Sequence, residues 1–177
     1  LLVGYRDATT HPMFVERVID DGAVFTLRST DHGETWGDPH AVCALPGWDS
    51  AGGRSMVRTP DGEIIMFVMK ARRAGGGPKQ SSVHPFRSRD DGHTWSDFSP
   101  ELSLYPGGWT EPNTTGRVIE LTDGRWLMPA YGADTPAGKT YPIVAFSSDR
   151  GETWGERSVI GRGTDSLTLY DPAIVRV

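Results

Sequence analysis

One eight-residue pattern occurs three times in this chain at a constant spacing. Each copy reads S-x-D-x-G-x-T-W, and the copies begin at Ser29, Ser88 and Ser147, so that successive serines lie 59 residues apart. A pattern with five fixed positions that returns at one period indicates a repeat architecture, and a repeat of this length is typical of an array or a propeller.

The residue types of the pattern predict a tight turn. Asp accepts hydrogen bonds from nearby backbone N–H groups, and Gly tolerates the positive φ that such a turn demands. Ser and Thr hydroxyls bind the same turn from its flanks, and Trp supplies a large apolar side chain at the start of the outgoing strand. We interpret each copy as a structural hairpin turn built on Asp31, Gly33 and Trp36, on Asp90, Gly92 and Trp95, and on Asp149, Gly151 and Trp154.

The segments between the copies read as strands. No window shows sustained helical periodicity. Short apolar runs alternate with turn signals such as Asp61-Gly62 and Asp123-Gly124, and each repeat contains about four strands, as a propeller blade does. The sequence therefore predicts an all-β fold of four-stranded antiparallel blades, with repeat units at about 1–52, 53–115 and 116–170. Within them we expect strands at 37–44 and 116–121, a basic loop at 70–81, and the opening strand of a further blade at 171–177.

Composition excludes several classes of protein. The net charge of −5 and the isoelectric point near 5.5 argue against a nucleic-acid partner or an anionic membrane surface. Cys43 is the single cysteine and the histidines are scattered, so we expect no disulfide, no metal site and no cofactor. The longest apolar run, 64–69, is far too short to span a membrane.

The pattern S-x-D-x-G-x-T-W resembles the Asp-box, or bacterial neuraminidase repeat, of the sialidase superfamily. The resemblance covers nearly the whole chain and implies a six-bladed β-propeller, which at 59 residues a blade needs about 350 residues. This chain then holds about three blades. We expect it to be a piece of a longer polypeptide or a half-ring that a second copy completes.

The same resemblance implies hydrolysis of a terminal sialic acid or a related acidic sugar from glycoconjugates by an exo-acting enzyme, with a secreted or cell-surface bacterial protein favoured. The alternative is a non-catalytic propeller that binds a glycan or a protein. Asp-boxes also occur in propellers that hydrolyse nothing.

The resemblance also implies which residues take part. In the family three arginines grip the carboxylate of the sugar, a pairing that suits the planar guanidinium. Arg6 matches a different arginine, the one that ends the second strand of the family's first blade, and is a candidate for substrate binding. The acid/base aspartate of the family lies in the following loop, where Asp21 is our first choice and Asp20 and Asp7 are the alternatives. Asp171 falls where the family places the glutamate that activates its tyrosine nucleophile, although Asp is one methylene shorter.

Further substrate-binding candidates lie on the inner strands. Tyr131 resembles a tyrosine that the family brings toward the substrate, and Glu111, Arg54 and Arg117 could also face the pocket. Each kind of candidate also has an explanation without substrate contact. The loop aspartates could lie in solvated turns, Glu111 could lie at the rim, and Tyr131 could pack in the core. The three carboxylate-gripping arginines and the tyrosine nucleophile of the family have no counterpart in this chain, so we expect that one copy alone does not assemble a complete sialidase site.

Overall fold

The computed structural model of the chain describes residues 1–8, 22–72, 80–97, 102, 110–133, 139–155, 157–164 and 166–177. Within these ranges the chain is all β, which confirms the predicted fold class. The strands are β1 (Leu2–Asp7), β2 (Ala23–Arg28), β3 (His40–Cys43), β4 (Asp49–Arg58), β5 (Ile64–Arg72), β6 (Gln80–Ser88), β7 (Ser96–Asp97), β8 (Thr110–Thr114), β9 (Ile119–Glu120), β10 (Trp126–Ala133), β11 (Tyr141–Ser147) and β12 (Arg157–Val159).

The strands form three antiparallel sheets in chain order. The first sheet has the order β1-β2-β3, and the second has the order β4-β5-β6-β7. In the third sheet, β8, β10, β11 and β12 lie side by side, and β9 pairs with β10 beyond the end of β8. Since neighbours in each sheet are also neighbours in sequence, every sheet is a simple meander, as expected of propeller blades.

Some strand bounds differ from those predicted. The inner strand of the third sheet begins at Thr110 rather than at 116, and Gly116, with φ of 71°, separates β8 from β9. The predicted outer strand at 37–44 is reduced to β3, and the predicted loop at 70–81 is shortened because β5 extends to Arg72 and β6 starts at Gln80. Residues 171–177 form no ladder with any described strand.

The second sheet has an apolar core on each face. Side chains alternate across a strand, so Met66 and Val68 of β5 face the first sheet, where they pack with Val24 of β2. Ile65 and Phe67 face the opposite way and pack against the third sheet. This alternation explains why β5 is apolar along nearly its whole length and why its residues 64–71 are all buried.

Each copy of the repeated pattern is a turn closed by its own side chains. In the first copy the Ser29 hydroxyl lies 2.7 Å from Asp31 Oδ1 and accepts a hydrogen bond of 2.7 Å from the Gly33 amide. The Thr35 amide donates to Asp31 Oδ1 at 3.0 Å, and the Thr35 hydroxyl donates to Asp31 Oδ2. The same bonds recur in the second and third copies. We call these three turns the box turns.

The variable residue after the aspartate also has a positive φ. His32, Asp91 and Arg150 have φ values of 62°, 60° and 58°, and the glycine that follows each has a φ between 87° and 97°. Two successive positive φ values are what a type I′ turn requires, and this turn matches the twist of a β-hairpin. The sequence indicated a positive φ for the glycine but not for the residue before it. Asp and His adopt a positive φ somewhat more often than other non-glycine residues, and this preference is too weak to predict it.

The tryptophan of a box turn packs against the preceding sheet. Trp154 is 5% exposed and lies edge-on to Phe67 of the second sheet, with ring centroids 5.6 Å apart. The Trp95 indole N–H donates to Thr26 Oγ1 of the first sheet at 3.3 Å. Trp36, whose turn belongs to the first sheet, is 42% exposed. The box tryptophans therefore join one sheet to the one before it.

Candidate functional site

The two ends of the sheets differ in character. Leu2 of β1 pairs with Arg28, and Ile64 of β5 pairs with Ser88, so both strands start beside a box turn. We call this end of the sheets the box end. The strands β1, β5 and β10 run away from it and finish at the opposite end, which we call the loop end.

An ion pair joins the first two sheets at the loop end. Arg6 lies near the end of β1, and Asp49 is the first residue of β4. Arg6 Nη2 donates to Asp49 Oδ1 at 2.6 Å, and Arg6 Nε donates to the same oxygen at 3.2 Å. The Asp49 side chain is 1% exposed and the Arg6 side chain 17%. The guanidinium is therefore oriented by a buried carboxylate while its own edge still reaches solvent.

The second carboxylate oxygen of Asp49 is unusual. Oδ2 is buried and has no hydrogen-bond partner in the described part of the chain. A buried acceptor that stays unsatisfied costs about 1–3 kcal/mol, and more when it carries charge. Asp49 is therefore a buried carboxylate that is bonded to Arg6 through Oδ1 alone.

The backbone at Gly22 closes over this ion pair. The Ser50 amide donates to the Gly22 carbonyl at 2.9 Å. A Cβ at Gly22 would collide with Asp49 Oδ1 and would also lie 2.8 Å from Arg6 Nη2, so only glycine fits. Gly22, which follows Asp20 and Asp21 in sequence, therefore packs closely against Arg6 and Asp49.

Cationic and aromatic side chains surround the start of β4. The Arg72 guanidinium lies 4.4 Å from the centroid of the Trp48 ring, and Lys70 Nζ lies 5.0 Å from that of Phe86. Arg72 is at the end of β5, and Lys70 is buried in the same strand. Arg72 therefore places an exposed positive charge at the loop end of the second sheet, whereas the Lys70 ammonium is directed toward Phe86.

A tyrosine pair lies at the loop end of the third sheet. Tyr131 Oη accepts a hydrogen bond of 2.9 Å from Asn113 Nδ2. Its ring lies edge-on to Tyr170 with centroids 5.5 Å apart. Tyr131 is partly exposed, so its side chain is held on two sides and still reaches solvent. Asp171, the exposed residue after Tyr170, has a φ of 48°.

The aspartates of the box turns have a structural role at the box end. Hydrogen bonds from Thr35 and Ser29 hold the pKa of Asp31 well below its ordinary value, and Thr94 does the same for Asp90. Burial raises the pKa of Asp149, but hydrogen bonds from Thr153 and Ser147 outweigh it and lower the pKa. These carboxylates are fixed hydrogen-bond acceptors that stay ionised, so they are unsuited to proton transfer near neutral pH.

Arg117 lies at the box end, not beside Arg6. It lines a cavity of 630 Å³ together with Arg58, Arg176 and Glu120. Arg58 also pairs with Asp91 of the second box turn, which places the cavity at the box end. Arg6 and Arg117 therefore do not share this cavity.

Some of the other predicted site residues lie outside the described part of the chain. Asp20 and Asp21 lie outside the described residues, as do the side chains of Arg54 and Glu111, whose backbones belong to β4 and β8. Asp7 is exposed at the end of β1. Sequence reasoning missed Asp49 because no motif distinguishes this aspartate from a loop carboxylate.

Within the described residues, no group of three or more His, Cys, Asp and Glu side chains could hold a metal ion. The same residues include no helix long and apolar enough to cross a membrane.

Comparison with known proteins identifies the family of this chain. A family model described as a BNR repeat-like domain matches residues 20–174. A sialidase of Paraclostridium sordellii is 31% identical over 156 residues, which cover 77% of this chain and 38% of that protein. A sialidase of Micromonospora viridifaciens is 26% identical over 162 residues, which cover 81% of this chain and 25% of that protein. The chain therefore spans well under half the length of these curated relatives.

Solved structures show the same fold. A crystal structure of a protein of unknown function from Dyadobacter fermentans superposes with a TM-score of 0.71 at 20% identity, covering 98% of this chain and 54% of that one. A leech intramolecular trans-sialidase complexed with 2,7-anhydro-Neu5Ac superposes with a TM-score of 0.51 at 18% identity, covering 79% of this chain and 19% of that one. The all-β arrangement of this chain is thus consistent with part of a propeller.

Proposed function

The chain belongs to the BNR repeat-like domain family, whose matched curated relatives are sialidases, and from that premise we propose that it is part of a sialidase-like exo-glycosidase. The proposed reaction is hydrolysis of a terminal sialic acid, or a related acidic sugar, from a glycoconjugate. The substrate is therefore a glycan that ends in a carboxylate-bearing sugar.

The Arg6–Asp49 pair is the observation that carries this proposal. A guanidinium recognises a carboxylate through parallel N–H donors in a fixed plane, and it does so best when its orientation is set in advance. Asp49 sets that orientation through the Nε and Nη2 bonds to one of its oxygens. The exposed part of Arg6 then meets the substrate carboxylate at the loop end.

The neighbouring groups suit a sugar. Asp49 stays bonded to Arg6 and keeps the guanidinium in place for the sugar. Tyr131, held by Asn113, offers a polar and apolar contact for a substituent of the sugar ring. The carboxylate, not the ring as such, gives the selectivity for acidic sugars.

Proton transfer in the proposed reaction falls to a loop aspartate. One carboxyl group protonates the departing glycosidic oxygen and later takes a proton from the attacking water. Asp21, Asp20 and Asp7 remain the candidates: Gly22, next to Asp21 in sequence, packs against the Arg6–Asp49 pair, and Asp7 follows Arg6 at the end of β1. The nucleophile and the other carboxylate-binding arginines come from outside this chain, either from the rest of a longer polypeptide or from a second copy.

A second candidate function is a non-catalytic propeller that binds an acidic glycan. The separation of Arg117 from Arg6 favours it, because these two arginines then do not bind one ligand carboxylate together. Binding of free sialic acid without release of sialic acid from a glycoside would select this alternative.

The test is hydrolysis of a fluorogenic sialoside by the assembled protein that contains this chain. We expect Arg6→Lys, which keeps the charge beside Asp49 but removes the planar donor fork, to lower kcat/KM at least tenfold, or about 1.4 kcal/mol of transition-state binding. The matched control is Arg58→Lys, which makes the same change at the box end and should leave kcat/KM unchanged. Equal effects of the two variants on kcat/KM would refute the proposed role of Arg6. Binding of the sialoside without hydrolysis would refute the proposed enzymatic activity.

A further inference from the structure

A tryptophan lies beside the candidate site on the second sheet. Trp48 directly precedes Asp49, the carboxylate that orients Arg6. Trp48 is partly exposed, and the guanidinium of Arg72, an exposed residue, lies 4.4 Å from the centroid of its ring. The ring therefore lies next to the proposed carboxylate site without belonging to the ion pair.

A tight turn fixes the position of Trp48. The Trp48 amide donates to the Leu45 carbonyl at 3.1 Å, and Gly47 has a φ of 79°. Proline at the second position of a turn and glycine with positive φ at the third are typical of a type II turn, and Pro46 and Gly47 occupy these positions. The turn follows β3 and leads into β4, so Trp48 lies where the chain passes from the first sheet to the second at the loop end.

The Trp48 ring and Arg6 lie on the facing sides of the first two sheets. Arg6 is directly opposite Val24 in the ladder of β1 and β2, so both side chains lie on one face of the first sheet. That face is turned toward the second sheet, because Val24 packs in one apolar cluster with Val68 of β5. Arg72 lies four residues after Val68 on the same strand, and since side chains alternate across a strand, it is directed toward the first sheet. The Trp48 ring, which contacts Arg72, lies on that side too.

The ring lies further out than the ion pair. Asp49 pairs in the ladder with Ala71, and both residues are buried. One residue further toward the loop end, Trp48 is partly exposed and Arg72 is exposed. A ligand group bound by Arg6 beside Asp49 therefore lies deeper than a ligand group that contacts Trp48.

This order of depth suits a glycan. An enzyme that removes a terminal sugar binds that sugar at the inner end of its site, and the rest of the glycan extends outward through the mouth. The face of an indole ring is apolar and packs against the C–H groups of a pyranose ring. The Arg72 guanidinium against the ring of Trp48 limits its movement before a ligand arrives, so that less conformational freedom is lost on binding.

We propose that Trp48 binds the sugar that follows the terminal acidic sugar, and that it thereby gives a preference for substrates in which the acidic sugar is linked to a further sugar. The inference rests on the proposed function, in which Arg6 binds the carboxylate of the terminal sugar. Trp48 then stacks on the ring of the departing sugar and takes no part in the cleavage of the glycosidic bond. Its removal should affect oligosaccharide substrates and spare substrates with a small leaving group.

The test compares two substrates of the assembled protein that contains this chain. Sialyllactose carries a disaccharide behind the terminal sugar, whereas a methyl sialoside carries only a methyl group. Trp48→Ala should lower kcat/KM at least about tenfold for sialyllactose and less than about twofold for the methyl sialoside, because only the first ligand reaches the ring. The ratio of the two kcat/KM values is the readout, since a loss of folded protein lowers both values equally.

Two further variants serve as controls. Trp48→Phe keeps an aromatic face and should retain most of the preference for sialyllactose. Leu45→Ala shortens an exposed apolar side chain of the same turn and should leave the ratio unchanged. An unchanged ratio in Trp48→Ala, or the same change in Leu45→Ala, would overturn the inference and leave the proposed function intact.

Calorimetric titration separates this inference from the proposed function. The ligands are thioglycoside analogues of the same two substrates, which resist hydrolysis. The unsubstituted protein should bind the sialyllactose analogue at least about tenfold more tightly than the methyl analogue, and Trp48→Ala should remove this difference. A protein that shows the difference but hydrolyses neither substrate would contradict the proposed enzyme and support the role of Trp48. Equal affinities of the unsubstituted protein for the two analogues would overturn that role.

Discussion

Alanine substitution of turn glycines measures how tightly the third box turn packs. Gly151 and Gly124 have similar backbone angles, with φ of 87° and 82°. Their surroundings differ. A Cβ at Gly151 would lie 3.1 and 3.3 Å from two ring carbons of Trp126 and 3.6 Å from Phe67, whereas a Cβ at Gly124 would meet nothing within 4 Å.

The structure therefore separates two costs. Gly124→Ala should lower the free energy of unfolding only because an L-residue is held at positive φ, by about 1–2 kcal/mol. Gly151→Ala has the same effect and also crowds the indole of Trp126, which is fully buried and cannot move aside. Overpacking of this kind costs about 1–3 kcal/mol, so we expect Gly151→Ala to lose about 2–5 kcal/mol in total.

Urea unfolding of the two variants gives the comparison. If the slope of the transition stays constant, the shift in midpoint reports the difference in unfolding free energy. Gly92→Ala should fall between them, because its Cβ would meet the end of the Leu2 side chain at 2.9 Å, and that side chain can rotate. Equal losses for Gly151→Ala and Gly124→Ala would show that the third box turn does not pack against Trp126.

Two further predictions concern charge. Because the folded state lowers the pKa of Asp90, its ionised form contributes stability that is fully present above the ordinary pKa of 3.8 and is lost as the pH falls below that value. Asp90→Asn should therefore lose stability at neutral pH and show a smaller further loss in the acid range, as followed by thermal unfolding between pH 6 and about 2.5; an unchanged pH dependence would contradict this. Glu63 binds Arg87 at 2.6 Å as well as Arg89 and is largely buried, whereas Glu152 binds Arg87 at 2.9 Å and is half exposed. Glu63→Gln should cost about 1.5–3 kcal/mol and Glu152→Gln less than about 1 kcal/mol in urea unfolding, and the reverse order would be inconsistent with the structure.

The repeat and the strand pattern predicted most of the fold. Three copies at a constant spacing indicated an all-β repeat protein, and the structure within the described residues is all β. Errors occurred where local signals are weak. Residues 110–114 contain Glu111, Pro112 and Asn113, residue types that are depleted in strands, and they form β8 because pairing with β10 overrides propensity.

The candidate site was less accessible to prediction. Arg6 could be selected through a resemblance, but its partner Asp49 is 43 residues away, and nothing local couples the two positions. A long-range ion pair is set by the packing of one sheet on the next, which the sequence pattern does not encode residue by residue. Arg117 shows a second limit. The sequence placed it near an inner strand but did not show at which end of the sheet it lies.

The most direct test of the central claim follows the Arg6 Nε–H resonance by NMR during titration with free N-acetylneuraminic acid. The methyl ester, which lacks the carboxylate charge, is the matched ligand, and the Nε–H of Arg125, next to the third box turn, is the internal control. We predict that the Arg6 resonance shifts with the acid and not with the ester, and that the Arg125 resonance stays in place. Equal shifts with both ligands, or none at Arg6 when the ligand is saturating, would contradict carboxylate recognition at the loop end.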